Sequence, residues 1–202
     1  MLQDVLQTLA AFDTWLFQII NGFVGTVPFF DRFMATVVNE YLMPVSIALA
    51  VFALWFVGGS PAARSENQRA VLYAFLAQPV ANGIIGLNNS LYFRPRPFAA
   101  LPVKMLFYEP TDSSMPSNPA AVGFAFATAV WLVNRRAGAV LYAFAALFAI
   151  SRVYCGVHYP LDIVGGATVG IVGAAIAVTL ARTLLAPVAE GIIALARRLY
   201  LA

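Results

Sequence analysis

Histidine and cysteine occur once each in this chain, as His158 and Cys155, and only 10% of the residues are charged. Each scarcity excludes something. A single cysteine cannot close an internal disulfide or build a thiolate metal cluster. One histidine beside it leaves too few ligands for a zinc site, so no metal and no other cofactor is expected. The shortage of charge accompanies 61% hydrophobic residues, whereas a soluble domain is roughly half apolar and a quarter charged. The excess apolar surface has to face lipid, so the chain reads as an integral membrane protein in a bilayer. The net charge of +3 comes from scattered residues rather than a basic stripe, and no nucleic-acid partner is expected. Asp4 and Asp13 interrupt the apolar core that a secretory leader would need.

What the chain has in quantity is long apolar runs. A spanning helix needs about 20 mainly apolar residues. Segments at 41–59, 70–92, 119 onwards, 137–153 and 160–184 satisfy this. Residues 1–28 carry Gln3, Asp4, Gln7, Asp13 and Gln18, a pattern that suits a helix lying in the interface, with a sixth span left open. Residues 186–202, with Arg197 and Arg198, read as a second interfacial helix. The expectation is an all-α, single-domain membrane bundle of five or six spans over residues 1–202, with residues 40–185 as its motif-bearing part.

Loop charge orients the bundle. Arg64, Arg69, Arg135, Arg136, Arg182, Arg197 and Arg198 fall on one side, which the positive-inside rule makes cytoplasmic. Segments 93–118 and 154–159 then share the outer face, yet they hold Arg94, Arg96 and Lys104, with Arg152 beside them. Arginines on the side that the rule depletes need a reason, and a bound anion is one.

Three stretches near those loops carry chemistry. In SRVYCGVHYPLD, residues 151–162, Pro160 opens a helix and Asp162 falls in its first turn, where the helix dipole favours an anion. The Asp162 carboxylate can accept the Nδ1 proton of His158 and leave Nε2 free, the arrangement of an oriented nucleophile. Arg152 can aim its planar fork at a phosphate. In YFRPRPF, residues 92–98, two prolines stiffen the segment that carries Arg94 and Arg96. In SMPSNPAAV, residues 114–122, Asn118 or Ser117 reads as an N-cap ahead of Pro119, and the free N–H groups there attract anions. Each stretch alone has a plain structural explanation: a locally paired histidine, arginines at lipid headgroups, a capped helix. Together they describe a phosphate cradle around one imidazole.

The chain resembles the type-2 phosphatidic acid phosphatase superfamily of integral membrane lipid phosphatases, whose motifs are K-x6-R-P, P-S-G-H and S-R-x5-H-x3-D. The third motif is complete in Ser151, Arg152, His158 and Asp162. Arg96-Pro97 and Pro116-Ser117 retain parts of the other two. The Y-F-x-P-R-P-F run is similar to that of the bacitracin-resistance type of undecaprenyl pyrophosphate phosphatase. The resemblance covers roughly residues 40–185. It implies that His158 becomes phosphorylated, that Asp162 orients it, and that Arg96 and Arg152 hold the phosphate of a membrane lipid. It further implies substrate contacts from Ser117, Asn118 and Ser151, and a bacterial plasma membrane with the site facing outward. No oligomeric state is implied.

Two positions depart from the motifs. Asn89 stands where the first motif has lysine, with Arg94 or Lys104 as electrostatic substitutes. Pro119 stands where the second motif has the histidine that protonates the leaving group. A phosphate monoester as leaving group, with a pKa of about 6, tolerates that loss. An alkoxide, roughly as basic as hydroxide with a conjugate acid near 15.7, does not. A polyprenyl diphosphate is therefore the expected substrate. Alternatives are a phosphatidate or phosphatidylglycerophosphate phosphatase, a lipid-phosphate binder without catalysis, and a different acid such as Asp112, Glu109 or Tyr159. A channel or transporter has less support, since the charges sit at helix ends and no internal repeat is visible.

Overall fold

Small residues and large ones occupy opposite sides of the long helices, and that division builds the bundle. The computed structural model describes residues 1–199. Its helices, in order, are α1 (Leu2–Gly22), α2 (Pro28–Val37), α3 (Leu42–Ala53), α4 (Pro61–Leu91), α5 (Asn118–Trp131), α6 (Arg135–Tyr154), α7 (Pro160–Thr183) and α8 (Ala186–Arg198). No strand occurs among the described residues. Short 3₁₀ turns at Leu54–Phe56 and Pro97–Ala99 complete it.

Along α7, Gly166, Gly170, Gly173, Ala174 and Ala177 are buried, while Val164, Ile171, Val172 and Ile176 are exposed. Water would reverse that preference. In lipid, large apolar groups lose nothing by facing outward, and small residues let helix backbones approach closely. A Cβ on Gly166 would stand 2.2 Å from the Ser117 carbonyl oxygen, and one on Gly170 would stand 2.4 Å from that of Ala121. These glycines therefore fix the height of α5 against α7. The main core joins α3, α4, α5, α6 and α7 around Val51, Val71, Phe126, Val130, Leu141 and Val178.

Helices α4, α6 and α7 are long and apolar enough to cross a membrane, and α2 with α3 makes a fourth if that pair, bent by 59°, counts as one. The all-α membrane bundle stands as expected; against the five or six spans read from the sequence, three of the described helices, or four with the bent pair, meet this test of length and composition. The expected span from 119 is α5, with 14 residues. At 1.5 Å per residue it reaches about 21 Å, short of the roughly 30 Å hydrocarbon core. The span expected at 41–59 is the α3 half of the bent pair. Helix α4 begins earlier than residue 70, because Ser60 Oγ accepts the Ala63 N–H at 3.2 Å and Pro61 occupies the first turn. Helix α8 ends at Arg198; the rest of the expected terminal helix, residues 200–202, lies outside the described residues.

The alternation of helix directions gathers two kinds of ends. The starts of α4 and α6, the end of α7 and the arginines of α8 share one end of the bundle, tied by Arg69 to Glu190 at 2.6 Å and Arg182 to the Leu132 carbonyl at 2.9 Å. The starts of α5 and α7, the end of α6 and the long segment 92–117 meet at the other.

Candidate active site

The tight link between α6 and α7 places His158. Gly156 adopts φ +91°, and a Cβ there would lie 2.5 Å from Val103 Cγ1, so both conformation and space demand glycine. The turn lets Val157 and His158 donate their N–H groups to the Arg152 carbonyl at 3.0 and 3.3 Å. The imidazole is buried, with Nδ1 2.9 Å from the Ser114 carbonyl oxygen. A carbonyl only accepts, so Nδ1 carries the proton and Nε2 presents its lone pair. Nε2 lies 3.2 Å from Arg96 Nη1, which donates to it. Burial, first of all, pushes His158 down to about 4; Arg96 and Arg152 add to this and Asp162 opposes it.

Asp162 differs in detail from its expected role. Its Oδ2 is 3.6 Å from His158 Nδ1, farther than the Ser114 carbonyl. The reason is that Oδ2 is already engaged, accepting from the Ser114 hydroxyl and from the Tyr159 N–H at 2.8 Å. Asp162 thus caps α7 and holds the 113–117 segment, and that segment orients the imidazole through a peptide carbonyl.

Arg94, expected at the substrate, lies inside the protein. Nη1 donates to Asp162 Oδ1 at 2.6 Å and Nη2 to Asp13 Oδ2 at 2.7 Å, while the guanidinium stacks 4.3 Å from the Tyr159 ring centroid. Asp13, fully buried on α1, also accepts the Leu161 N–H at 2.8 Å. The chain Asp13–Arg94–Asp162–Ser114 therefore braces the base of the imidazole.

Beside it opens a cleft of about 390 Å³ lined in part by Glu40, Arg96, Asp112, Asn118, Pro119 and Arg152. Arg96 also donates to the Val157 carbonyl at 2.8 Å and pairs with Asp112 at 2.8 Å. Arg152 donates to the Val38 carbonyl at 2.8 Å and lies 3.8 Å from Glu40. Arg152 Nε and Ser117 Oγ are buried with no hydrogen-bond partner among the described residues. Burying such groups unpaired is costly, and an anion with several oxygens satisfies them.

Three expected site residues stand elsewhere. Asn89 is exposed, 3.4 Å from Asn88 Nδ2, and does not line the cleft. Lys104 Nζ donates to the Gly22 and Val24 carbonyls at 3.0 and 2.7 Å, neutralising the end of α1. Ser151 Oγ bonds the Phe148 carbonyl of its own helix at 2.7 Å. Ser117, not Asn118, is the residue ahead of α5, though its hydroxyl makes no cap bond. Of the candidate acids, Asp112 lines the cleft, whereas Glu109 is exposed and Tyr159 lies under Arg94. Sequence reasoning missed Asp13, Ser114 and Glu40. For Asp13 a signal existed: a lone carboxylate in an otherwise apolar stretch of helix asks for a partner.

Residues 68–185, more than half of the chain, match the PAP2 superfamily. Undecaprenyl-diphosphatase BcrC of Bacillus subtilis (strain 168) is 32% identical over 157 residues, covering 78% of each chain. The crystal structure of Aquifex aeolicus LpxE superposes with a TM-score of 0.62 at 28% identity, over 81% of this chain and 93% of that one. The transmembrane PAP2-type phosphatidylglycerolphosphate phosphatase of Bacillus subtilis gives 0.62 at 18% identity, over 88% of both, a likeness of fold. The matched region contains Arg94, Arg96, Arg152, His158 and Asp162, the residues that build the site above, and this chain belongs to the PAP2 superfamily, a family of membrane lipid phosphatases.

Proposed function

We propose that the chain is a polyprenyl diphosphate phosphatase working through a phosphohistidine on His158 at the outer face of a bacterial plasma membrane. The observation that carries this reading is a buried imidazole with Nδ1 2.9 Å from the Ser114 carbonyl and Nε2 3.2 Å from an arginine that lines a cleft. A terminal phosphate in that cleft gives Arg96 and the unpartnered Arg152 Nε oxygens to bind, and frees Nε2 to attack phosphorus. Nδ1 keeps its proton, donated to the Ser114 carbonyl, with Asp162 nearby to stabilise the imidazolium that forms. Arginines on the equatorial oxygens supply the charge stabilisation that phosphoryl transfer mainly requires. The seven arginines at the far end of the bundle support the outward orientation.

The diphosphate is favoured by Pro119, which lines the cleft and has no proton to give. The B. subtilis relative's name points to the same substrate class. Phosphate release from purified protein tests this with a lipid panel: a polyprenyl diphosphate should turn over at least about ten times faster than phosphatidate, and Pro119→His should narrow the gap, by up to about 10²-fold if the missing proton limits the monoester. Faster phosphatidate cleavage by the unmodified protein overturns the substrate assignment. Binding of the diphosphate without any phosphate release would favour a lipid-phosphate binder instead, the reading that Pro119 also invites.

Acid should affect the nucleophile late. An ordinary histidine gains its proton below about 6.5, whereas His158 does so only near 4. The rate of His158 phosphorylation should therefore persist through pH 6.5 and be lost by this group only as pH falls toward about 4. Rapid-quench labelling across that range checks it; a loss centred near 6.5 would show that substrate-free burial does not govern the imidazole.

A further inference from the structure

The cleft beside His158 changes character with depth. Helices α3, α5 and α6 line it, and each brings a polar residue at the end of the bundle and an apolar one about a turn further in. On α5 Asn118 is followed by Val122, on α6 Phe148 precedes Arg152, and at the start of α3 Tyr41 is followed by Pro44. Residues three or four apart share one face of a helix. Arg152 Nη1 donates to the Val38 carbonyl at 2.8 Å and ties the α2–α3 turn to the end of α6, so inward is the same direction on all of them. Pro119, on the same face of α5 as Val122, adds a second apolar surface.

The apolar part is short. A Cβ on Gly123 would stand 3.0 Å from Ala145 Cβ and 4.0 Å from Ile47 Cδ1, and both Ile47 and Ala145 are buried. Helices α3, α5 and α6 therefore close on one another about a turn beyond Pro44 and Phe148. A turn of helix rises about 5.4 Å, a depth that the carbon backbone of a single isoprene unit fills. The cleft thus has a cationic end in Arg96 and Arg152 for phosphate, and an apolar end for the first carbons esterified to it. A few charged groups beside an apolar wall is the usual make-up of a site that fixes the orientation of an amphiphile. The glycerol esters of a diacyl lipid would set carbonyl oxygens against Pro44, Val122 and Phe148, whose side chains have no hydrogen to donate to them.

We infer that this apolar end is a subsite for the first isoprene unit of the lipid, that Val122 is its specificity-determining residue, and that the tail beyond that unit is not read. The inference rests on the hydrolase reading above and adds where the selection for a prenyl chain is made. Val122 has this role because it lines the cleft while only partly buried. Phe148 is 1% exposed and is committed to a cluster with Val37 and Met43, and Pro44 lies in the first turn of α3, where its ring sets the backbone. The rest of a long prenyl chain lies among the lipids, which are as apolar as any wall the protein could offer and so give no selectivity for its length.

Steady-state kinetics with water-soluble diphosphate esters test this. Methyl diphosphate has the charge and the leaving-group chemistry without the isoprene, and esters of one, two and three isoprene units complete the series. For the unmodified protein kcat/KM should rise about 10²-fold from the methyl to the one-unit ester, and only a few-fold over the two longer ones. Val122→Phe fills the subsite and should bring the one-unit ester to within a few-fold of the methyl ester. Val122→Ala removes part of the wall and should lower the same preference about tenfold, a second reading in case the larger side chain disturbs packing. Each protein supplies its own reference, so a substitution that acts only on the fold moves both esters together and leaves their ratio as it was. An unaltered ratio in both variants overturns the subsite, and so does a kcat/KM that keeps climbing about tenfold with each further unit. If no ester releases phosphate, the hydrolase reading falls by itself, and the same ratios, taken as dissociation constants by isothermal titration, still decide the subsite.

Discussion

Replacing His158 by alanine will lower phosphate release from a lipid diphosphate by about 10⁴-fold or more, because a covalent route loses its only nucleophile and the remaining groups contribute binding alone. The expectation follows from the ring's state. Nδ1 is held by the Ser114 carbonyl at 2.9 Å, so its partner nitrogen has the lone pair, into which Arg96 donates at 3.2 Å until a phosphate engages that guanidinium. Radiolabelled substrate quenched during turnover should leave acid-labile label on the unmodified protein and none on the variant. His158 is buried, so the variant could also lose fold; thermal unfolding in detergent separates the two, and His158→Asn, which fills more of the space, gives a second measurement. Label retained without His158 would remove the phosphohistidine from the mechanism.

Arg94→Ala should be nearly as damaging for a different reason. It leaves the Asp13 and Asp162 carboxylates buried at 0% exposure, without the guanidinium that joins them. Removing one partner of a buried ion pair costs about 3–5 kcal/mol, so the variant should unfold at distinctly lower temperature. Its kcat should fall as well, because Asp162 holds the Ser114 segment against the imidazole. KM should change little, since Arg94 does not line the cleft. A phosphate-binding arginine would behave in the opposite way, with KM rising first and stability intact. Asp13→Asn in the same background should recover part of the lost stability by removing one uncompensated charge, which a double-mutant cycle measures.

The structure brings some of the residues suggested by the sequence together around the imidazole and places others elsewhere, for identifiable reasons. Arg152, His158 and Asp162 were legible as a group because their spacing across a helix end and a helix start is local, whereas Arg96, 62 residues from His158, was suggested by its own motif and is brought to the imidazole only by the fold. Arg94 and Lys104 were not: a cation beside a motif reads as a ligand for the substrate, and nothing in the string shows the Asp13 carboxylate or the α1 carbonyls that each one meets. Asp13 was read as polarity that keeps α1 at the interface, when its carboxylate is the far end of a buried ion-pair chain. Span counting took the whole apolar run from residue 119 as one helix, and the regular helix there, α5, has 14 residues.

Residue order by itself determined that the chain lives in lipid, that its helices pack by small residues, and that one imidazole stands between an arginine and an aspartate. Apolar content and spacings of a few residues decide these, and both are properties of the string. Tertiary structure alone decided which carboxylate answers which arginine, and left Glu40 beside the cleft. Those pairings join positions as much as 81 and 112 residues apart, and they depend on how closely the Gly166 and Gly170 face lets α5 approach α7 and where the α2–α3 bend sets its turn.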